Sequence, residues 1–225
     1  MIQILYSYIE KQNHDFLMNY KLKQLPDEFQ LKILKYRRWQ DAQLSLLGRL
    51  LLENGLQGQG LTGEIKLNVQ YTPYNKPYLS DKNIKFNISH SGDFVACVIT
   101  QYQEIGIDIE ILEDVEIENF KDQMTNKEWE NIFYSKDIKR SFFNYWTQKE
   151  AILKAQGKGL SIPLKSFEVQ QNKAVLDSTT FYLAEIVLQE NYVCHIASNQ
   201  KISNQSIFIR EFNAKSLCND EYILV

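Results

Sequence analysis

Residues 105–110 read Ile-Gly-Ile-Asp-Ile-Glu. Side chains along a β-strand point to alternate faces, so Ile105, Ile107 and Ile109 make one apolar face while Asp108 and Glu110 share the other. Such a strand needs a core on one side. On the other it needs solvent or a bound cation, because adjacent carboxylates repel. The segments before it follow the same period: IKFNIS alternates, HSGD makes a turn, and FVACVIT is apolar enough for a buried strand, which predicts a hairpin over residues 84–100. The amino-terminal MIQILYSYI is a further strand pattern.

Helical periodicity fills the intervals. The stretch from Leu25 to Gly55 predicts one long helix, with Pro26 near its start, Asp27 as a cap and Gly55 as its stop. Thr125 and Glu128 form a capping-box pattern that opens a short helix, and RSFFNYWTQKEAILKAQ predicts a longer one closed by Gly157. Beyond Phe167, the segments FEVQ, FYLAEIVL, YVCHIA and SIFIREF return to strand character. Each half thus carries helices before a set of short strands. The expected class is α+β, with two similar subdomains, 1–104 and 105–225, each a small, mostly antiparallel sheet packed on helices and the two related by a pseudo-twofold axis.

Composition narrows the function classes. With 225 residues and 44% hydrophobic content, the chain can bury a sizeable core, and a net charge of −3 gives no general attraction to nucleic acid. No run approaches the roughly 18 apolar residues of a membrane span, and the amino terminus lacks a signal-peptide pattern, so a cytoplasmic protein is expected. Cys97, Cys194 and Cys218 are far apart and odd in number, as reduced core residues would be. The histidines, His14, His90 and His195, are scattered, and no cysteine pair has zinc-ligand spacing.

Two further segments carry chemistry. In WTQKEAILKAQGKGL, Trp146, Glu150 and Lys154 are spaced by four and share a helical face; taken alone, Glu150 and Lys154 read as a surface ion pair. In FNISHSGDF, Ser89, His90 and Ser91 sit where a strand ends in a glycine-containing turn, able to hold a phosphate or, equally, to satisfy their own backbone.

Four segments in order resemble the 4'-phosphopantetheinyl transferases, of the broad-specificity type that activates surfactin synthetase: NKPYL at 75–79, FNISHSG at 86–92, IGIDIE at 105–110 and WTQKEAILKAQGKGLSIPL at 146–164. The resemblance implies that family's fold, with the site between the halves of a monomer, and transfer of the phosphopantetheine arm of coenzyme A to a serine of an apo acyl or peptidyl carrier protein. It implies Mg²⁺, with Mn²⁺ as a substitute, held by Asp108, Glu110 and Glu150. Glu150 would take the serine proton and Lys154 would stabilise the leaving bisphosphate. Coenzyme A would meet Lys76 and Pro77 at its adenine, and Ser89 and His90 near its 3'-phosphate. Lys35, Arg38 and Ser45, with Lys32 and Arg37 beside them, would add charge and a hydroxyl. Phe120, Lys121 and Met124 lie where the family contacts its carrier; Phe120 and Met124 are spaced by four, as a core stripe would also be. Trp146 is expected to pack its helix, while Lys149 matches the motif without an assigned role. Asn75 stands where relatives carry glycine, and asparagine reaches positive φ at modest cost. The alternatives are another Mg²⁺-dependent phosphoryl or nucleotidyl transferase, for which the Gly58–Gly60 run lacks a phosphate-loop sequence, and a non-catalytic module binding coenzyme A or a carrier.

Overall fold

The computed structural model describes residues 1–59, 69–80 and 83–214. Cys218 and Gly60 lie outside them. The chain opens with β1 (Ile2–Tyr8) and passes through short helical turns that include α1 (His14–Phe16) to α2 (Asp27–Ile33) and α3 (Trp39–Gly58). A two-stranded ribbon, β2 (Val69–Tyr71) and β3 (Pro77–Leu79), precedes the hairpin β4 (Ile84–Ser91) and β5 (Phe94–Gln101). The second half runs β6 (Ile105–Ile111), α4 (Asn126–Phe133), α5 (Ile138–Gln156), β7 (Lys173–Leu176), β8 (Thr179–Glu185) and β9 (Tyr192–Ser198), and β10 (Ile207–Glu211) follows.

The class is α+β, and both halves use one plan. Each has an opening strand, a long helix and a later antiparallel pair whose last strand returns to the opening strand: β1, α3, β4 and β5 in the first, β6, α5, β8 and β9 in the second. The sheets are ordered β10-β1-β5-β4 and β6-β9-β8-β7. β10 pairs in parallel with β1, placing Ile207 opposite Ile2. Residues 207–211 thus add an edge strand to the first sheet. No local pattern specifies that pairing, which joins opposite ends of the chain.

The two sheets face one another. Ile105, Ile107 and Ile109 pack in one cluster with Ile2, Ile4, Phe94, Ala96 and Val98. On the outer faces, Leu47 and Leu51 of α3 pack with Leu5, Cys97 and Ile99, and Ala151, Ile152 and Ala155 of α5 pack with Phe181, Leu183 and Ala197. The result is a helix–sheet–sheet–helix stack in which burial of apolar side chains, worth about 1.5–3 kcal/mol each, drives assembly. Cys97 and Cys194 are buried free thiols, as expected.

Three sequence expectations change. The long helix is two, because α2 ends at Ile33 and the backbone is extended at Arg38 (ψ 133°) before α3 begins at Trp39. Gly55 is no stop: α3 continues to Gly58, and a Cβ at Gly55 would lie 2.3 Å from Ile99 Cδ1, so the residue serves a close helix–sheet approach. FEVQ forms no strand beyond a bridge from Gln170 to Lys173. Side chains replace strand partners there: the Phe167 carbonyl accepts from Lys149 and the Val169 N–H donates to Glu128. The Thr125–Glu128 capping box forms as predicted, and α5 ends at Gly157 with φ 91°.

Candidate active site

α5 seats on β6 at Gly106, where a Cβ would lie 2.1 Å from the Ala151 carbonyl oxygen and 2.5 Å from the Ala155 nitrogen. Only glycine admits this contact, and it brings the Glu150–Lys154 face of α5 to the acidic face of β6. Lys154 Nζ donates to Asp108 Oδ1 at 2.6 Å and to Ser89 Oγ at 2.9 Å, while Ser89 Oγ donates to Asp108 Oδ1 at 3.0 Å. Ser91 Oγ donates to Glu110 Oε2 at 2.6 Å.

β4 supplies more than these hydroxyls. β6 is an edge strand, and its outward N–H groups need acceptors. Ile107 N donates to Asn87 Oδ1 at 2.9 Å, Ile109 N to Ser89 Oγ at 3.4 Å and Ile111 N to Ser91 Oγ at 3.2 Å. Alternate polar side chains of one sheet thus complete the backbone bonding of the other. Sequence reading had placed no role on Asn87 or on the Ser91–Glu110 contact. The available signal was their period of two on a strand otherwise fit for burial.

The carboxylates are poorly compensated. Asp108 is 3% exposed, and its Oδ2 is buried with no hydrogen-bond partner. Burial pushes the Asp108 carboxyl up, against the pull of Lys154 and Ser89. Burial also raises Glu110 to about 7, opposed by the Ser91 hydroxyl and helped by the Asp108 charge. Glu150 is raised by burial and then by Asp108, with Lys154 opposing. Among the described residues no three His, Cys, Asp or Glu side chains form a ready-made metal cage. The unpartnered Oδ2 of Asp108 is a buried oxygen left open to a hard cation.

His195 lies opposite Asp108 in the β6–β9 register, but its ring serves α5. Thr147 Oγ1 donates to the Phe143 carbonyl at 2.7 Å and so accepts from His195 Nδ1 at 2.8 Å, leaving Nε2 near Gln148. Burial lowers this imidazole to about 4, which keeps it neutral.

Beside the acidic cluster a cavity of about 860 Å³ opens between α2, α3, the ribbon and β4, lined by Lys32, Ser45, Asn75, Pro77 and His90. Ser89 and His90 are strand neighbours and face opposite ways: His90 lines the cavity and Ser89 joins Asp108. Partial desolvation and the Lys154 charge hold His90 below its usual value. Lys35 and Arg38 are exposed on the break between α2 and α3 and do not line the cavity; Lys32 does, with Nζ 5.9 Å from the Tyr71 ring centre. Buried Arg49, paired with Glu53 at 3.0 Å, is a lining residue that the sequence reading had not picked out. Asn75 holds φ 62°, so the turn keeps the conformation a glycine would take. The Lys76 ammonium turns to the Ala155 carbonyl at 2.7 Å and to Glu104 at 3.4 Å, and Lys76 and Pro77 are among the residues lining an adjoining cavity of about 580 Å³.

The 117–124 segment corrects one expectation. Met124 is 4% exposed in a cluster with Ile132, Phe142 and Phe143, and Phe120 meets Phe142 at a tilt and Trp146 edge-on, with ring centres 5.2 and 5.1 Å apart. Met124 is core, and half-buried Phe120 packs against the same aromatic cluster. Lys121 remains exposed, 5.9 Å from the Trp129 ring centre. Trp146 packs its helix, as expected.

Comparisons with known proteins identify a family. A model described as "4'-phosphopantetheinyl transferase, N-terminal" matches residues 11–102, and one described as "4'-phosphopantetheinyl transferase superfamily" matches residues 104–205. The 4'-phosphopantetheinyl transferase gsp of Aneurinibacillus migulanus is 30% identical over 231 residues, covering 97% of this chain and 94% of that protein. The 4'-phosphopantetheinyl transferase Sfp of Bacillus subtilis is 32% identical over 142 residues, covering 62% of this chain and 63% of the relative. The human L-aminoadipate-semialdehyde dehydrogenase-phosphopantetheinyl transferase is 31% identical over 160 residues, covering 63% of this chain and 51% of the relative. With a relative matched along nearly its whole length and family models on both halves, this chain belongs to the 4'-phosphopantetheinyl transferase superfamily and is an enzyme of that kind.

Proposed function

We propose that the chain transfers the 4'-phosphopantetheine group of coenzyme A to a serine hydroxyl of an apo acyl or peptidyl carrier protein, releasing adenosine 3',5'-bisphosphate, as a monomer whose site lies between residues 1–104 and 105–225. Asp108, Glu110 and Glu150 hold Mg²⁺, or Mn²⁺ in its place. The observation that carries this reading is the buried, partnerless Oδ2 of Asp108 among three carboxylates that burial drives toward protonation. When bound, the ion supplies neutralisation of charge on the diphosphate oxygens as the P–O bond breaks.

The chain's own residues perform the rest. Lys32, Ser45 and His90 receive the 3'-phosphate in the larger cavity, in place of Lys35 and Arg38, and His90 gains its proton when a dianion lies beside it. Pro77 and the Lys76 stem form a wall for the adenine. The incoming serine oxygen bonds to the phosphorus that carries the pantetheine arm, and the bond from that phosphorus to the bisphosphate breaks. Glu150, directly or through a water, takes the serine proton; burial and then the Asp108 charge raise its affinity for protons, as a base requires. Lys154, a compact charge already poised on Asp108 and Ser89, stabilises the leaving bisphosphate.

The test is the intact mass of a purified apo carrier after incubation with the protein and coenzyme A, with and without Mg²⁺. A gain of one phosphopantetheine that requires metal is expected. No gain on fatty-acid, polyketide or peptide-type carriers, with coenzyme A still bound, would refute the transfer.

A further inference from the structure

Lys149 precedes Glu150 in α5, about 100° round the helix from it and on the side away from the Ala151–Ala155 contact with Gly106, and it is fully buried. Its ammonium meets three acceptors, Glu128 Oε2 at 2.9 Å, the Leu164 carbonyl at 2.8 Å and the Phe167 carbonyl at 2.7 Å, and lies 4.6 Å from the Phe167 ring centre. All three of its N–H groups are therefore used. Glu128 is equally well satisfied: Oε2 also accepts from the Thr125 N–H at 2.9 Å, and Oε1 accepts from the Val169 N–H at 3.0 Å. One buried charge pair thus fastens the start of α4, the middle of α5 and the 164–169 segment together.

Stability alone gives a weak reason for such a pair. Two charges taken out of water rarely stabilise a fold more than apolar side chains of similar volume would. What the pair adds is a fixed position. On its inner face α5 rests on Gly106 with no room for a methyl group, and His195 holds Thr147. On its outer face the Lys149 network holds it against retreat. Lys154 reaches Asp108, and Glu150 one turn before it faces the same carboxylate cluster, only while α5 sits at that depth.

We propose that Lys149 is a positioning residue for the transfer: by clamping the outer face of α5 through Glu128 and the 164 and 167 carbonyls, it sets the approach of Glu150 and Lys154 to Asp108. The inference rests on the transferase reading and goes beyond it in giving this lysine a role separate from folding.

The full-length wild-type protein is compared with Lys149→Met and with the doubly neutral Lys149→Met/Glu128→Gln. The readouts are Tm, kcat, KM for coenzyme A and Mn²⁺ affinity by calorimetry. Lys149→Met leaves a buried carboxylate alone and lowers both Tm and kcat. The double variant regains most of the Tm, yet its kcat stays at least about tenfold below wild type with KM for coenzyme A within about twofold, because the cavity is built by α2, α3 and the ribbon. Recovery of kcat together with Tm would make Lys149 purely structural and overturn the proposal. So would a loss confined to KM. If both neutral variants fail to fold, Lys149→Arg decides: a lower kcat at unchanged KM supports the clamp, and wild-type kcat overturns it. Mn²⁺ affinity reads the same geometry without turnover. A weakening of about tenfold in the double variant is expected and wild-type affinity refutes the clamp, so a wild-type protein without turnover would count against the transferase reading alone.

Discussion

Replacing Gly106 with alanine tests how the two catalytic elements are brought together. The added Cβ would stand 2.1 Å from the Ala151 carbonyl oxygen and 2.5 Å from the Ala155 nitrogen, both backbone atoms of α5. A carbon and an oxygen approach no closer than about 3.3 Å in ordinary contact, so the helix must retreat by about 1 Å. Overpacking of this kind costs about 1–3 kcal/mol, and at about 2–4 °C per kcal/mol for a chain of this size, Tm should fall by several degrees. The functional effect is larger in proportion. A displacement of about 1 Å between reacting groups can cost about 100-fold in rate, so Gly106→Ala should lower kcat by about that factor. KM for coenzyme A should stay near the wild-type value, because the cavity draws its lining from α2, α3, the ribbon and β4. Steady-state transfer to an apo carrier, paired with differential scanning calorimetry, measures both quantities. Wild-type kcat in a variant with lowered Tm would mean that α5 can shift without moving the chemistry, and the reasoning would be wrong.

Other perturbations follow from the same contacts. Glu150→Gln should abolish transfer while raising Tm in metal-free buffer, since it removes a buried carboxylate that Asp108 repels; a fall in metal-free Tm would argue against that repulsion. Glu110 has its folded pKa at about 7, above the ordinary 4.5, so the stability it contributes is complete below 4.5 and is lost as pH rises through 7. Added Mg²⁺ should therefore raise Tm more at about pH 8 than at about pH 5, and an equal shift at both would sink the assignment. Thr125→Ala removes the hydroxyl that accepts from the Glu128 N–H, and thermal denaturation should show a loss of about 1 kcal/mol.

Particular residues show where sequence reading reached and where it stopped. The pairing of Asp108 with Glu110 on one face, and of Glu150 with Lys154 on another, was legible because side-chain direction follows from strand and helix periods. The capping box at Thr125 and the stop at Gly157 were legible for the same local reason. Met124 was read beside Phe120 as a carrier contact and proves to be core, since a stripe spaced by four looks the same whether it faces a partner or the chain's own aromatics. The family resemblance offers Lys35 and Arg38 to the coenzyme, with Lys32 and Arg37 beside them. The break at Arg38, which no glycine or proline announces, turns Lys35 and Arg38 outward and leaves Lys32 at the cavity.

What the sequence determined by itself was local: periods, caps, and which carboxylates share a face, because each depends on bonds and contacts within a few residues. Tertiary structure alone decided the rest. It set Lys154 against Asp108 across 46 residues, supplied the β6 backbone with acceptors from Asn87, Ser89 and Ser91, returned β10 to β1, and buried Lys149 with Glu128. Those contacts join segments distant in the chain, and the energy that selects them, the burial of the isoleucine face of β6 between two sheets, exists only once both sheets have formed.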